Sequence, residues 1–202
     1  MKTKMVMFFV LLGGIVFVPQ VNAELAIGEA APEFSLTDVE GNSRSLSDFK
    51  GQYRVLEWTN HECPFVIKHY GSGNMQELQK TYTDKGIVWL SINSSASGKQ
   101  GNFTLEKWGE VLRDKQSAAT ATLLDPDGNV GKLYGAQTTP HMFVIDPQGM
   151  LIYQGAIDDV ASADPADVAK AKNYVKAALD EAMAGESVST PSTKSYGCSV
   201  KY

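Results

Sequence analysis

Three short apolar runs, RVLEWTN (54–60), GIVWLSIN (86–93) and ATLLD (121–125), are separated by longer stretches whose apolar residues recur at helical spacing. The runs read as strands, and the near-continuous apolarity of GIVWLSIN is that of a strand covered on both faces, as in parallel sheets. Between the first two, Pro64 precedes a helical pattern that Gly71 and Gly73 interrupt. It resumes with Asn74 as N-cap and with Met75, Leu78 and Tyr82 on one face. Between the second and third, SSASGKQGN (94–102) is a loop, and TLEKWGEVLRDKQ (104–116) puts Leu105, Trp108 and Leu112 on one helical side.

Ahead of this core, residues 34–37 and 43–46 read as extended pieces around the turn Glu40-Gly41-Asn42, an N-terminal β extension. Behind it come a turn at PDGN and a short helix over 130–134. A hairpin follows, made of TPHMFVID (139–146), PQG and MLIYQGA (150–156). A closing helix over 165–185 ends at Gly185. This order predicts an α/β sandwich with a central mixed sheet flanked by helices.

Residues 1–23 stand apart from that domain. Lys2 and Lys4 precede an apolar run over 5–18, and Val21 and Ala23 supply small residues at a cleavage site. That layout is a secretory signal peptide, and the run is short of the roughly 20 apolar residues a spanning helix needs. The expected mature protein is therefore exported, periplasmic or secreted, with no stable membrane insertion after cleavage. It comprises a domain over 24–185 and a polar, aperiodic, mobile tail over 186–202. Loss of Lys2 and Lys4 leaves it about two charges more negative than the −5 of the whole chain. With its charges scattered and no basic run, nucleic acid is not a natural partner.

The chain has only two cysteines, Cys63 and Cys198. Cys63 sits where the strand 54–60 hands over to a helix, and Pro64 suits the first helical position, where a missing N–H costs nothing. A helix N-terminus favours negative charge, so a thiol there ionises more readily than a free one and becomes a nucleophile toward a peroxide or a disulfide. His61 would add to this if protonated, whereas Glu62 opposes it. An inert, merely packed cysteine is the plainer alternative, and Pro64 together with the downstream TTP argues against it.

The segments VLEWTNHECPF, TTPHMFVID and DPQGMLIYQGAIDD, with the opening IGEAAPEFSL, resemble the thioredoxin fold. More narrowly, they resemble the peroxiredoxin-like alkyl hydroperoxide reductase and thiol-specific antioxidant family, over about residues 26–184. The resemblance implies a thiol oxidoreductase that reduces peroxides or disulfides, with an external thiol as electron donor and no cofactor. Cys63 is then the nucleophile. Asn60, His61, Pro64, Thr139, Pro140 and His141 support it, and the bond before Pro140 is cis, in a loop lying against Cys63. Cys198 becomes a resolving cysteine, within one chain or across a homodimer. Tyr196 and Tyr202 would dock the tail on an apolar surface, with Gly197 supplying flexibility.

The chain departs from its relatives at several points. There is no Cys-x-x-Cys, because Asn60 and Val66 occupy the positions three residues either side of Cys63. Asn60 also stands where similar peroxiredoxins carry Thr, and none of Arg44, Arg54 and Arg113 falls in a matching context. A second class of reading therefore stays open, a non-catalytic binding protein that holds copper through Cys63, His61 and His141, thiolate and imidazole being suitable ligands. The simplest reading of His141 is a local hydrogen bond at a strand start.

Overall fold

The computed structural model describes residues 25–202, so the expected signal peptide lies outside the described residues. Its centre is a seven-stranded mixed sheet in the order β2-β1-β5-β4-β3-β7-β8. The strands β3 (Arg54–Trp58), β4 (Val88–Asn93) and β5 (Ala121–Leu124) are those read from the three apolar runs, and they pair in parallel. To one side lie β7 (His141–Ile145) and β8 (Leu151–Gly155), antiparallel. To the other lie β1 (Ser35–Asp38) and β2 (Ser43–Ser45), also antiparallel. This is a thioredoxin-like α/β sandwich with an N-terminal β extension.

Strand alternation divides the core into two layers. Val55 of β3 points into one, among Val66, Tyr70, Met75, Tyr82, Trp89, Val175 and Leu179. Its neighbours Leu56 and Trp58 point into the other, among Leu90, Ile92, Leu123, Tyr134 and Phe143. The helices α1 (Pro64–Gly71), α2 (Asn74–Thr83) and α5 (Tyr174–Met183) supply the first layer, and the short α4 (Asn129–Leu133) adds Val130 to the second.

Three local expectations are corrected. The cap of α2 is Gly73, at φ +79, and the Asn74 amide instead bonds His69 Nδ1 at 2.9 Å. On α3 (Leu105–Asp114), which Thr104 caps, only Trp108 is buried and Leu105 is 56% exposed, so that face is one indole wide. The expected long closing helix is broken. Pro165–Lys170 is a 3-10 helix, Ala171 is extended, and α5 begins only after Asn173, whose side chain accepts from Lys176 N. The helical spacing over 165–185 thus merges two elements that a cap separates.

The largest difference concerns residues 186–202, read from the sequence as a mobile tail. Pro191 O accepts from Gln154 N and Thr193 N donates to Gln154 O, so this segment covers the β8 edge of the sheet. It then forms β9 (Cys198–Ser199), antiparallel to β6 (Thr138–Thr139), with Thr139 opposite Cys198. At its end Ala96 N donates to Lys201 O, and Tyr202 Oη donates to Ala136 O at 2.7 Å. A segment held by backbone pairing and isolated side-chain bonds carries no hydrophobic period, which is why its sequence reads as loose.

Candidate functional site

Cys63 is the N-cap of α1, with extended backbone at φ −78, ψ 126 and Pro64 in the first turn. The turn before it is built by Asn60. Its carbonyl accepts from Cys63 N at 2.9 Å, its Oδ1 accepts from Glu62 N at 3.0 Å, and its amide reaches Gln100 O at 3.1 Å. The sulfur is fully buried, and as a thiol it donates to Thr139 O at 3.1 Å. Thr139 precedes Pro140 through a cis peptide bond, and the Thr139 carbonyl contact sets this loop against Cys63.

The β6–β9 pairing brings the second cysteine to the same place. Cys198, half-buried, stands opposite Thr139, whose carbonyl accepts from the Cys63 thiol; both cysteines are free thiols. Their acidities move apart. Burial raises the Cys63 pKa, but the neighbouring Cys198 thiol and the backbone N–H groups of Val66 and Cys198 outweigh it, leaving a net lowering. Val66 is the third residue of α1, where the N–H of a first turn points at a capping group. Cys198 is pushed up to about 11, first by burial and then by the Cys63 contact. Of the two thiols, Cys63 is therefore the one that ionises more readily.

The histidines are not arranged as a ligand set. His61 is buried between the rings of Tyr70 (4.6 Å) and Trp108 (5.8 Å), and neither of its ring nitrogens has a partner. Burial, helped by Lys115, lowers its pKa to about 4, so at neutral pH it brings no positive charge to Cys63. Burial does the same to His141, whose Nδ1 accepts from Gln137 N at 3.3 Å. Among the described residues no group of three His, Cys, Asp or Glu side chains is placed to hold a metal ion, so Cys63, His61 and His141 do not form the copper site considered above. Two of the three arginines are engaged elsewhere too. Arg54 donates to Asp146 O, and Arg44 pairs with Asp38 at 2.9 Å.

Two features went unread in the sequence. Glu57, six positions before Cys63, is completely buried in β3 with no cation paired to it among the described residues. Tyr70 Oη (3.0 Å), Gln79 Nε2 (3.1 Å), Trp89 Nε1 (2.8 Å) and Ser91 Oγ (3.0 Å) all donate to it. Burial raises its pKa against those donors. An acidic residue inside an apolar strand run was its only signal. The second is the close approach at Gly197, at φ +139, where flexibility alone was expected. A Cβ there would stand 2.1 Å from Thr139 O, so this glycine is required for close approach rather than for looseness.

The AhpC/TSA family model matches residues 27–154. The chain belongs to the AhpC/TSA family. A thiol-disulfide oxidoreductase, ResA, from Bacillus thuringiensis subsp. konkukian is 28% identical over 131 residues, covering 65% of this chain and 70% of the relative. A hypothetical protein from Sinorhizobium meliloti superposes with a TM-score of 0.74 at 27% identity, covering 89% of this chain and 96% of that one. The thioredoxin domain of a thiol-disulfide oxidoreductase from Bacteroides vulgatus superposes at 0.52 with 23% identity, covering 73% of this chain and 97% of that one, and shares the fold.

Proposed function

We propose that this AhpC/TSA-family chain is an exported thiol-disulfide oxidoreductase in which Cys63 is the nucleophile and Cys198 resolves it within the same chain. The observation that carries the reading is that Thr139 registers two free thiols at one place, pairing with Cys198 across the β6–β9 ladder and accepting from the Cys63 thiol at 3.1 Å; their acidities also move apart. The name of the Bacillus relative points to the same chemistry. Export rests on the pattern of residues 1–23.

In the first step the Cys63 thiolate attacks one sulfur of a substrate disulfide. A Cys63–substrate disulfide forms, and the other substrate sulfur leaves as thiolate and takes up a proton. Cys198 then gives up its proton and attacks the Cys63 sulfur, releasing the second substrate thiol and leaving a Cys63–Cys198 disulfide. The substrate disulfide is reduced to two thiols while the cysteine pair is oxidised. An external thiol donor returns the pair to its reduced form. Asn60 and Pro64 shape the turn that presents Cys63, and the Thr139–Pro140 loop backs both sulfurs.

Disulfide exchange is favoured over peroxide reduction because two of the three arginines, Arg54 and Arg44, are tied to Asp146 and Asp38, and the third, Arg113, sits in the last turn of α3. The test is to mix the reduced protein with glutathione disulfide or with hydrogen peroxide and follow Cys63–Cys198 cross-linking by mass spectrometry. Cross-linking by the disulfide, lost in Cys63→Ser, is expected. Consumption of peroxide alone, or equal turnover in Cys63→Ser, would overturn the reading.

A further inference from the structure

Tyr196 lies two residues before Cys198, and its side chain enters a socket built largely from α1, the helix that Cys63 caps. Its ring meets Phe65 edge-on at 5.8 Å, and Lys68 Nζ lies 5.6 Å from its centroid. Its hydroxyl donates to Asp158 Oδ1 and lies 3.4 Å from His69 Nε2. The floor of the socket is fully desolvated, with Lys68 and His69 at 0% and Asp158 at 2% exposure. Asp158 is itself fixed by Val160 N at 3.0 Å and by Lys68 Nζ at 3.4 Å, and Lys68 also donates to Val160 O at 3.0 Å.

A buried ion pair of this kind is weak evidence for stability, since desolvation offsets most of its attraction. What it does provide is a fixed point. Phe65, Lys68 and His69 belong to the helix that Cys63 caps, so most of the socket is built on the element that presents the nucleophilic sulfur. Only Gly197 separates Tyr196 from Cys198. Gly197 has no room for a side chain against Thr139 O, so the path from socket to sulfur has little slack.

Taking the Cys63–Cys198 pair of the proposed function as given, we infer that Tyr196, anchored on Asp158, is the positioning residue that holds Cys198 at Cys63. The hydroxyl-to-carboxylate bond sets how often the Cys198 thiol is in reach of the Cys63 sulfur. It thereby sets the effective concentration of one cysteine for the other, which for an intramolecular reaction depends on geometry rather than on new contacts. Tyr196 touches neither substrate nor sulfur in this role; it acts through Cys198.

The test is equilibration of the full chain with mixtures of glutathione and glutathione disulfide, followed by acid quench and mass spectrometry of the Cys63–Cys198 disulfide. Tyr196→Phe is expected to lower the effective concentration at least tenfold, about 30 mV for a two-electron couple, with the circular-dichroism spectrum kept. Tyr53→Phe, which removes a 2.9 Å bond to Ala182 O on α5, serves as the control for a purely structural loss and is expected to leave that constant unchanged. Tyr196→Leu gives a second reading should the first variant fold poorly. An unchanged constant in the Tyr196 variants, or an equal fall in Tyr53→Phe, overturns the positioning role while leaving the cysteine pair intact. Absence of any disulfide in the unmodified chain overturns the pair and this inference with it.

Discussion

Thr139 and Cys198 face each other across the β6–β9 ladder, and the Thr139 carbonyl also accepts from the Cys63 thiol at 3.1 Å. One loop residue thus registers both sulfurs. Gly197 allows this, because any Cβ would collide with that carbonyl at 2.1 Å. Gly197→Ala is expected to lift Cys198 off the ladder and to lower the yield of Cys63–Cys198 disulfide more than tenfold after one equivalent of glutathione disulfide. Gly71→Ala makes a control, since nothing lies within 4 Å of its added Cβ. It lies in α1, where Ala is favoured over Gly by roughly 0.5–1 kcal/mol.

The acidity of Cys63 depends on donors, and one of them is Cys198. Ultraviolet thiolate titration of the unmodified chain should place Cys63 below the ordinary thiol range. Cys198→Ala removes a donor, and its Cys63 titration should move upward. Cys198→Ser keeps a hydroxyl donor and should fall between the two. A Cys63 titration that is the same in all three proteins would mean that the helix terminus alone sets it.

His61 is neutral at pH 7, so its proximity to Cys63 in sequence carries no electrostatic consequence. Its two ring nitrogens are buried without partners, a cost of roughly 1–3 kcal/mol per unsatisfied group. His61→Phe keeps a ring between Tyr70 and Trp108 and is expected to raise stability in urea at pH 7 by about 1 kcal/mol or more. It should leave the Cys63 titration unmoved. A lower stability, or a Cys63 shifted upward, would show a charged or bonded His61 instead.

Acid should destabilise the protein through the same residues. His61, His69 and His141 all titrate near pH 4 when folded, against an ordinary value of 6.5, with burial the first cause in each. The unfolded chain therefore binds more protons between those values. The stability these groups contribute is complete above about pH 6.5 and is lost as the pH falls toward 4. Urea midpoints across that window should decline, and less steeply in His61→Phe. A flat profile would contradict the burial of these rings.

Much of the architecture was legible because it is written in local patterns. The apolar runs around Val55, Trp89 and Leu123 gave the parallel strands, and Cys63-Pro64 after a strand marked the helix start that carries the nucleophile. Where packing decides, legibility ended. Leu105 has the spacing of a core residue yet lies exposed, because α3 buries little beyond Trp108. The placement of Cys198 depends on a socket assembled from Phe65, Lys68, His69 and Asp158, which lie far from it in sequence. The two tyrosines flagged as apolar anchors dock chiefly through their hydroxyls, on the Asp158 carboxylate and the Ala136 carbonyl. No periodicity reports such bonds.

Glu57 offers the last expectation, with the opposite pH sign to the histidines. Burial raises its pKa, and its oxygens meet four donors but no cation. A carboxyl whose folded pKa exceeds its unfolded value binds more protons when folded. Its contribution is complete below the usual carboxylate range and is lost as the pH rises through the raised value. Glu57→Gln removes that titration while retaining one oxygen for Trp89, Ser91 and Gln79. The Tyr70 oxygen, already accepting from Gln79 Nε2 at 2.9 Å, can accept from the new amide as well. Subtracting the variant's unfolding free energy from that of the unmodified chain, at each pH from about 4 to 8, cancels the histidine contribution that both share. The difference should fall as the pH rises and level off once Glu57 is ionised in the fold. A difference that stays constant across the range would mean that the four donors hold this carboxylate ionised throughout, and that its burial is matched by hydrogen bonding alone.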